Sequence, residues 1–254
     1  MAHCKVLHTP QEAADWLRAR GVQQLVADSR RVGEGDGFLA WPGAGADARN
    51  FVQQALGNGA AACLMELDGA PDVDKPAVAC MEHLHAAAGE IASAFYGEPS
   101  KALNVVAFTG TNGKTSSAWW LASVLSRQEL GALAPCGLIG TLGMGLPGDL
   151  RSTGLTTPEA LDLQRQFRQW ADAGVRSCSM EASSIGLEEG RLDGCAIRVA
   201  VFSNFTQDHL DWHGDMERYW QAKLRLFDWP GLQAAVINLD DARGAELAAH
   251  CRAR

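Results

Sequence analysis

Asn104-Val105-Val106-Ala107-Phe108-Thr109-Gly110-Thr111-Asn112-Gly113-Lys114-Thr115-Ser116 is the stretch that decides the fold. The run from Asn104 to Phe108 is apolar almost throughout, stops at a glycine-rich turn and gives way to a helical pattern over Lys114 to Ser126. A strand apolar on both faces belongs in a parallel sheet covered by helices on either side. Val175 to Met180, Arg198 to Phe202 and Ala234 to Ile237 repeat the pattern, each ending in a polar cluster. Ligands of such sheets bind beyond the carboxyl ends of the strands. The residues after each strand are therefore the ones to read.

After the first strand, glycines let the backbone wrap closely around phosphate, and the helix that follows offers free N–H groups and a positive dipole end. Lys114 would reach the outer phosphates and the Thr115 hydroxyl would coordinate Mg²⁺. The pattern departs from the common phosphate loop, because Phe108 stands where its first glycine would be. A plain glycine-rich turn could make the same connection. Strand, Gly-Lys-Thr and helix in this order favour phosphate binding.

The second strand runs into Met180-Glu181-Ala182-Ser183-Ser184. A carboxylate at a strand end facing the loop is a natural Mg²⁺ ligand, since that ion prefers oxygen donors beside a nucleotide. The third strand leads into Asn204-Phe205-Thr206-Gln207-Asp208-His209-Leu210-Asp211-Trp212-His213. His209 and His213 have the spacing of a helical zinc pair. Gly214 follows at once and no third soft ligand is evident, so pattern alone leaves His209 unexplained. Lys223, on an amphipathic helix from Met216 to Phe227, reads as a surface lysine. The fourth strand ends in Asn238-Leu239-Asp240-Asp241.

Further out, Tyr96-Gly97-Glu98-Pro99-Ser100 marks a boundary. Before it, Pro10 to Arg20 reads as a helix, Asp28 to Arg31 as a loop, Phe38 to Trp41 as a strand, Asn50 to Leu56 as a helix and Ala60 to Met65 as a strand. The expected architecture is thus α/β, with a small N-terminal α/β domain over 1–98 and a mostly parallel-sheet domain over 99–254. The 254 residues are 47% hydrophobic and 20% charged with a net charge of −8, which excludes a disordered chain and argues against nucleic acid as a partner. No apolar run approaches the roughly 20 residues of a membrane span, and the N-terminus lacks the apolar core of a secretory signal. A cytoplasmic protein is expected. The seven scattered cysteines include no C-x-x-C pair and read as reduced, mostly buried thiols.

These residues resemble the Mur ligases of peptidoglycan synthesis, whose central ATPase domain is shared with folylpolyglutamate synthetases. Thr109 to Thr115 resembles the family's phosphate loop. Thr156-Thr157-Pro158, Met180 to Ser184 with Arg191, Asn204 to Gly214, Tyr219-x-x-Ala222-Lys223-x-x-Leu226-Phe227 and Asp28-Ser29-Arg30 resemble the members that add the third peptide residue. The resemblance covers nearly the whole chain. It implies a uridine-binding N-terminal domain, a central phosphate-loop domain and an ATP-dependent amide ligase of the cytoplasm. ATP would phosphorylate the terminal carboxylate of UDP-MurNAc-L-Ala-D-Glu, and the amine of meso-diaminopimelate or L-lysine would attack the acyl phosphate. The Arg-rich, Ala-rich composition leans toward diaminopimelate.

By that resemblance, Gly110, Thr111, Asn112, Gly113, Lys114, Thr115, Ser116 and Asn238 would contact ATP. Thr115, Glu181, His209 and a carbamylated Lys223 would hold Mg²⁺, with Lys114, Glu181, His209 and Lys223 the catalytic set. A carbamate can ligate Mg²⁺, whereas a free ammonium is repelled by it. Thr156, Thr157, Ser183, Glu189 and Arg191 would contact the muramoyl peptide, and Ser29 the uridine end. Thr157 also reads as an N-cap before Pro158. Two departures stand out: Ile185 replaces a usual His, and Glu189 a common Gln, placing a carboxylate near an anionic substrate.

The alternatives are a folylpolyglutamate synthetase-like ligase and a nucleotide-binding module without ligation. The Thr-Thr-Pro and Ser-Ser stretches argue against the former. Nothing matches the family's third, C-terminal domain, and Ala245 to Arg254 reads as the middle of a helix. The expectation is a monomeric, C-terminally truncated chain that binds its ligands without turnover.

Overall fold

The computed structural model describes residues 4–43, 45–73 and 75–253. The chain forms two compact units, Met1–Glu98 with Ala160–Arg165 and Pro99–Glu159 with Gln166–Arg254.

The first unit is built on five parallel strands: β1 (Lys5–Leu7), β2 (Gln24–Val26), β3 (Asp36–Ala40), β4 (Ala62–Glu66) and β5 (Val78–Met81). Their order across the sheet is β1-β5-β4-β3-β2. Successive residues of a strand point to opposite faces. Leu39 and Leu64 accordingly join the cluster formed with Leu17 and Ile91, while Phe38, Cys63 and Met65 join Val52 and Ala55 on the other face. The helix Pro10–Arg18 starts where Thr9 accepts the Glu12 N–H at 3.1 Å and proline takes the first position, whose N–H needs no partner. Asp28 to Arg31, read as a loop, closes into a 3-10 turn over Ser29–Arg31 capped by Asp28, just beyond the end of β2.

One expectation fails in this unit. Cys4 and Cys80 are joined in a disulfide rather than standing as reduced thiols. The two lie 76 residues apart in sequence, but β1 pairs with β5 in parallel, Val6 opposite Cys80, and brings their Cα atoms to 6.2 Å. Local spacing carries no trace of that pairing.

The second unit holds seven strands: β6 (Asn104–Thr109), β7 (Cys136–Gly140), β8 (Gly143–Leu146), β9 (Asp149–Arg151), β10 (Ser177–Glu181), β11 (Val199–Phe202) and β12 (Ala234–Ile237). They lie in the order β12-β11-β6-β10-β7-β8-β9. The four strands read from sequence are present and parallel, flanking β6 as the doubly wound pattern requires. A fifth parallel strand, β7, and the antiparallel hairpin β8–β9 were not anticipated. Their glycines, among them Gly137, Gly140, Gly143 and Gly145, break the apolar run that marks a buried strand. β12 is an edge strand, with Ala234 and Val236 exposed. Ala242–Arg252 forms a helix that Asp241 caps through the Arg243 N–H at 2.9 Å. Among the described residues no helix is long and apolar enough to cross a membrane.

Candidate active site

The register of the parallel strands sets Glu181 opposite Phe108, and Phe202 opposite both Thr109 and Ile237. The residues that follow β6, β10, β11 and β12 therefore emerge along one edge of the sheet.

Between β6 and the helix Lys114–Leu125, the loop is held by the end of β11. Gly110 has φ +144°, and a Cβ there would fall 2.0 Å from Ser203 Oγ. Asn204 grips the next residues: its carbonyl accepts the Thr111 N–H (2.9 Å), its Oδ1 accepts the Asn112 N–H (2.9 Å) and its Nδ2 donates to the Asn112 carbonyl (3.0 Å). Ser203 Oγ donates to that same carbonyl at 2.7 Å. Thr111 Oγ1 donates to the Thr206 carbonyl and receives the Thr206 N–H and the Tyr219 hydroxyl. No side chain caps the helix that follows, which leaves its first N–H groups and positive dipole end for an anion. Ser116 lies exposed on its first turn.

Two lysines converge on one oxygen. Lys114 Nζ donates to the Gly110 carbonyl at 2.8 Å and to that of Thr111 at 3.0 Å, and Lys223 Nζ donates to the Gly110 carbonyl at 2.9 Å. Lys223 is 1% exposed, so the surface position inferred from its helix is wrong. It lies one turn after Tyr219, and its Nζ sits 4.3 Å from the centre of that ring. Burial, then the charge of Lys114, pull its pKa down to about 6 against the pull of Asp208. Burial also lowers that of Lys114, while Glu181 and Asp208 oppose the change.

Glu181 is 1% exposed and fully engaged. Its Oε2 accepts the Thr115 hydroxyl at 2.9 Å and its Oε1 the Thr141 N–H at 2.8 Å. Gly140 makes room, since a Cβ there would stand 2.2 Å from Oε1. Thr141 Oγ1 lies 3.0 Å from Thr156 Oγ1, which links the carboxylate to the Thr-Thr-Pro stretch. A hydroxyl beside a carboxylate, next to a phosphate loop, is an oxygen donor set that suits Mg²⁺, which takes few protein ligands and completes its shell with phosphate and water. Among the described residues no three His, Cys, Asp or Glu side chains gather into a metal cage. His209 is turned to Asp208, 3.5 Å away, and lies edge-on to the Tyr219 ring; the structure shows no contact of it with Glu181 or Thr115.

The expected peptide-contacting residues form a second cluster. Thr157 is fully buried; its hydroxyl donates to the Glu181 carbonyl (2.9 Å) and receives the Ser183 N–H (3.0 Å). In this structure it is a strut for the strand end, presenting no surface to a ligand. It is not an N-cap either, since Glu159 precedes the helix Ala160–Asp172 without a side-chain cap bond. Thr157→Val is expected to cost about 1–3 kcal/mol by removing the hydroxyl that bonds both the Glu181 carbonyl and the part-buried Ser183 N–H, read from chemical denaturation. Ser183 caps Ser184–Glu188 through the Gly186 N–H at 3.0 Å. Arg191 donates to the Thr157 carbonyl (2.9 Å), pairs with Glu189 and lies 3.4 Å from Glu159. Asn238, exposed, donates to the Ser203 carbonyl at 2.8 Å. Ser29 belongs to the first unit.

Pattern reading missed Asn204, Ser203 and Thr141 as loop and carboxylate supports. Asn204 at the end of an apolar strand was the available signal; nothing marked Thr141.

A phosphate-ready loop at the carboxyl edge of a doubly wound sheet, with a buried carboxylate facing its Gly-Lys-Thr, defines an α/β phosphate-loop protein. Residues 108–254, more than half of the chain, match the Mur ligase middle domain. The chain belongs to the Mur ligase family. It is 57% identical over 246 residues to the UDP-N-acetylmuramoyl-L-alanyl-D-glutamate--2,6-diaminopimelate ligase of Acidovorax sp. (strain JS42), covering 95% of this chain and 49% of that protein. The protein of the same name from Pseudomonas aeruginosa is 45% identical, with 94% and 48% covered. A solved structure of a ligase of that name superposes with a TM-score of 0.74 at 33% identity, over 92% of this chain and 46% of that one. MurF from Acinetobacter baumannii, at 23% identity and a TM-score of 0.68 over 94% and 51%, shares the fold. The chain spans about half the length of the curated relatives it matches.

Proposed function

We propose that this chain supplies the nucleotide-binding and UDP-peptide-binding parts of a cytoplasmic ligase that joins meso-diaminopimelate to UDP-MurNAc-L-Ala-D-Glu at the expense of ATP. The observation that carries the reading is the convergence of buried Lys223 and half-buried Lys114 on the Gly110 carbonyl beside the Thr115–Glu181 pair. The loop N–H groups and Lys114 bind and align the phosphates. A carboxylate oxygen of the D-Glu residue attacks the γ-phosphorus, the bond to ADP breaks and an acyl phosphate forms. The amine then adds to the acyl carbon, loses a proton and expels phosphate. The protein's share is alignment and charge neutralisation.

Mg²⁺, held by Thr115, Glu181 and a carbamylated Lys223 with His209 nearby, would neutralise charge on the transferring phosphoryl group. Lys223 suits carbamylation. Burial keeps a large share of its amine neutral, and a neutral amine can attack CO₂, forming the N–C bond and releasing one proton. The carbamate keeps one N–H for the Gly110 carbonyl and sets an anion beside Lys114, where the free amine is largely neutral. Ser29 and its neighbours would take the uridine end, and Thr156, Ser183 and Arg191 the peptide end.

Binding is the direct test. Isothermal titration is expected to show ATP binding that requires Mg²⁺, and separate binding of UDP-MurNAc-L-Ala-D-Glu; failure of ATP to bind in Mg²⁺ defeats the reading. Glu189 adds a specific outcome. Its carboxylate already occupies Arg191, so an anionic substrate must compete with it. Glu189→Gln is expected to tighten UDP-dipeptide binding by about fivefold at most, the scale of a partly exposed ion pair. An unchanged affinity refutes that competition.

A further inference from the structure

His213 lies outside every role assigned above, yet its side chain is completely buried. It closes the one-turn helix Leu210–His213 that begins at His209, a residue held at φ +51°. Its imidazole spans both ends of another short helix, Ser184–Glu188: Nε2 lies 2.9 Å from Ser184 Oγ, and Nδ1 3.0 Å from Glu188 Oε2. The first is an aligned hydrogen bond. The second is close but off axis, which leaves Nδ1 without a well-directed partner. Glu188 is held from elsewhere by the Trp212 indole N–H at 2.8 Å, and its carbonyl by Arg225 at 3.1 Å. The opposite face of the imidazole packs on the Tyr219 ring, 5.1 Å between centres.

These contacts tie together three segments. Ser184 follows Glu181 and Ser183 at the end of β10; His213 ends the helix whose N-cap is His209; Tyr219 carries Lys223 on its ring and reaches Thr111 of the phosphate loop through its hydroxyl. Burial lowers the His213 pKa, and the charges of His209 and Lys223 act with it against Glu188. The ring is therefore neutral. The Nε2–Ser184 bond forms in either neutral tautomer, since the hydroxyl can donate to a bare Nε2 or accept from a protonated one. Serine, histidine and carboxylate have the connectivity of a hydrolase relay. Ser184, however, is 2% exposed and out of reach of an acyl group.

We infer that His213 is a positioning residue for the Mg²⁺–nucleotide site, setting the separation of the segments that carry Glu181, His209 and Lys223. The inference rests on the reading of that site given above. Side chains that orient metal ligands from behind are worth about 10–100-fold in metal affinity. Mg²⁺ titrated into the whole chain at saturating ATP, followed by calorimetry, is expected to bind His213→Ala at least about tenfold more weakly than the parent. His213→Gln, whose amide oxygen falls near the Nε2 position, is expected to recover most of that affinity. His213→Asn, which restores only the Glu188 side, is not.

Thermal unfolding of the three variants separates positioning from stability: the inference requires Mg²⁺ affinity to follow the Ser184 bond and not the melting temperature. Parent-like Mg²⁺ affinity in His213→Ala, with Glu181→Gln impaired, overturns the inference and spares the site. Equal losses in all three variants that scale with melting temperature also overturn it. Absence of any Mg²⁺-dependent ATP binding in the parent overturns the site reading, and the inference with it.

Discussion

In CO₂-free buffer the chain is expected to lose at least about tenfold in Mg²⁺ affinity at saturating ATP, and Lys223→Met to show the same loss whether or not CO₂ is present. The expectation follows from the crowding of charge at the Gly110 carbonyl, where Lys114 and Lys223 both donate. Two unit charges about 4 Å apart repel by roughly 4 kcal/mol at an effective dielectric of 20, so two ammonium groups are poor neighbours in a buried site. Burial and the Lys114 charge bring the Lys223 pKa to about 6. The repulsion is thus relieved first by loss of the Lys223 proton, and conversion of the neutral amine to a carbamate then sets an anion beside the Lys114 cation.

A second role for Lys223, direct contact with phosphate as a cation, predicts a different pattern. There, Lys223→Met would weaken ATP binding without Mg²⁺ and CO₂ would have no effect. The carbamate makes CO₂ and Lys223 equivalent variables, because each acts only through the other. ¹³C NMR in labelled bicarbonate gives an independent readout: one protein-bound carbamate resonance in the parent, none in Lys223→Met. Its absence from the parent, or a Mg²⁺ affinity indifferent to CO₂, sinks the assignment.

What was legible in the chain and what was not divides along physical lines. Strands β6, β10, β11 and β12 pack against a neighbour or a helix, so their apolar runs survive in the sequence and their polar successors mark the site edge. β7 and the β8–β9 hairpin hide because glycine is needed where neighbours come close, Glu181 at Gly140, Trp170 at Gly137 and the β9 backbone at Gly143 and Gly145, and a strand rich in glycine carries no period. Lys223 shows how a helix pattern misleads. Charge at that position looks solvent-facing until Tyr219, one turn earlier, is seen to be the largest fully buried side chain and to share its face. Thr157 before a proline has the form of a cap, but a long-range bond to the Glu181 carbonyl claims its hydroxyl. The Cys4–Cys80 bridge and the Asn204 clasp depend on pairings between distant segments, which no local window contains. The residue types of the site were therefore readable; the supports that hold them came only with the topology.

Gly110→Ala is expected to abolish measurable ATP binding, a loss of more than about 100-fold, while leaving UDP binding by the first unit intact. Two costs act together. A φ of +144° is a conformation that side chains other than glycine rarely adopt, and holding it costs on the order of 1–3 kcal/mol. The added methyl would also sit 2.0 Å from Ser203 Oγ, 3.0 Å from the Asn204 carbonyl oxygen and 3.1 Å from its nitrogen. The loop can escape only by moving off the end of β11. That breaks the bonds from Asn204 to Thr111 and Asn112 and turns the Gly110 carbonyl away from both lysines. Combining Gly110→Ala with Ser203→Gly tests which cost dominates. Removing the serine oxygen clears the nearest obstacle but leaves the backbone of Asn204 and the φ penalty in place, so the double variant is expected to regain less than about tenfold. Full recovery would mean that the loop tolerates the backbone conformation and that only the hydroxyl stood in the way. ATP binding unchanged in the single variant would show that phosphate is not gripped by this loop at all. Calorimetric titration of both variants with ATP and Mg²⁺, and of the single variant with UDP, decides between these outcomes.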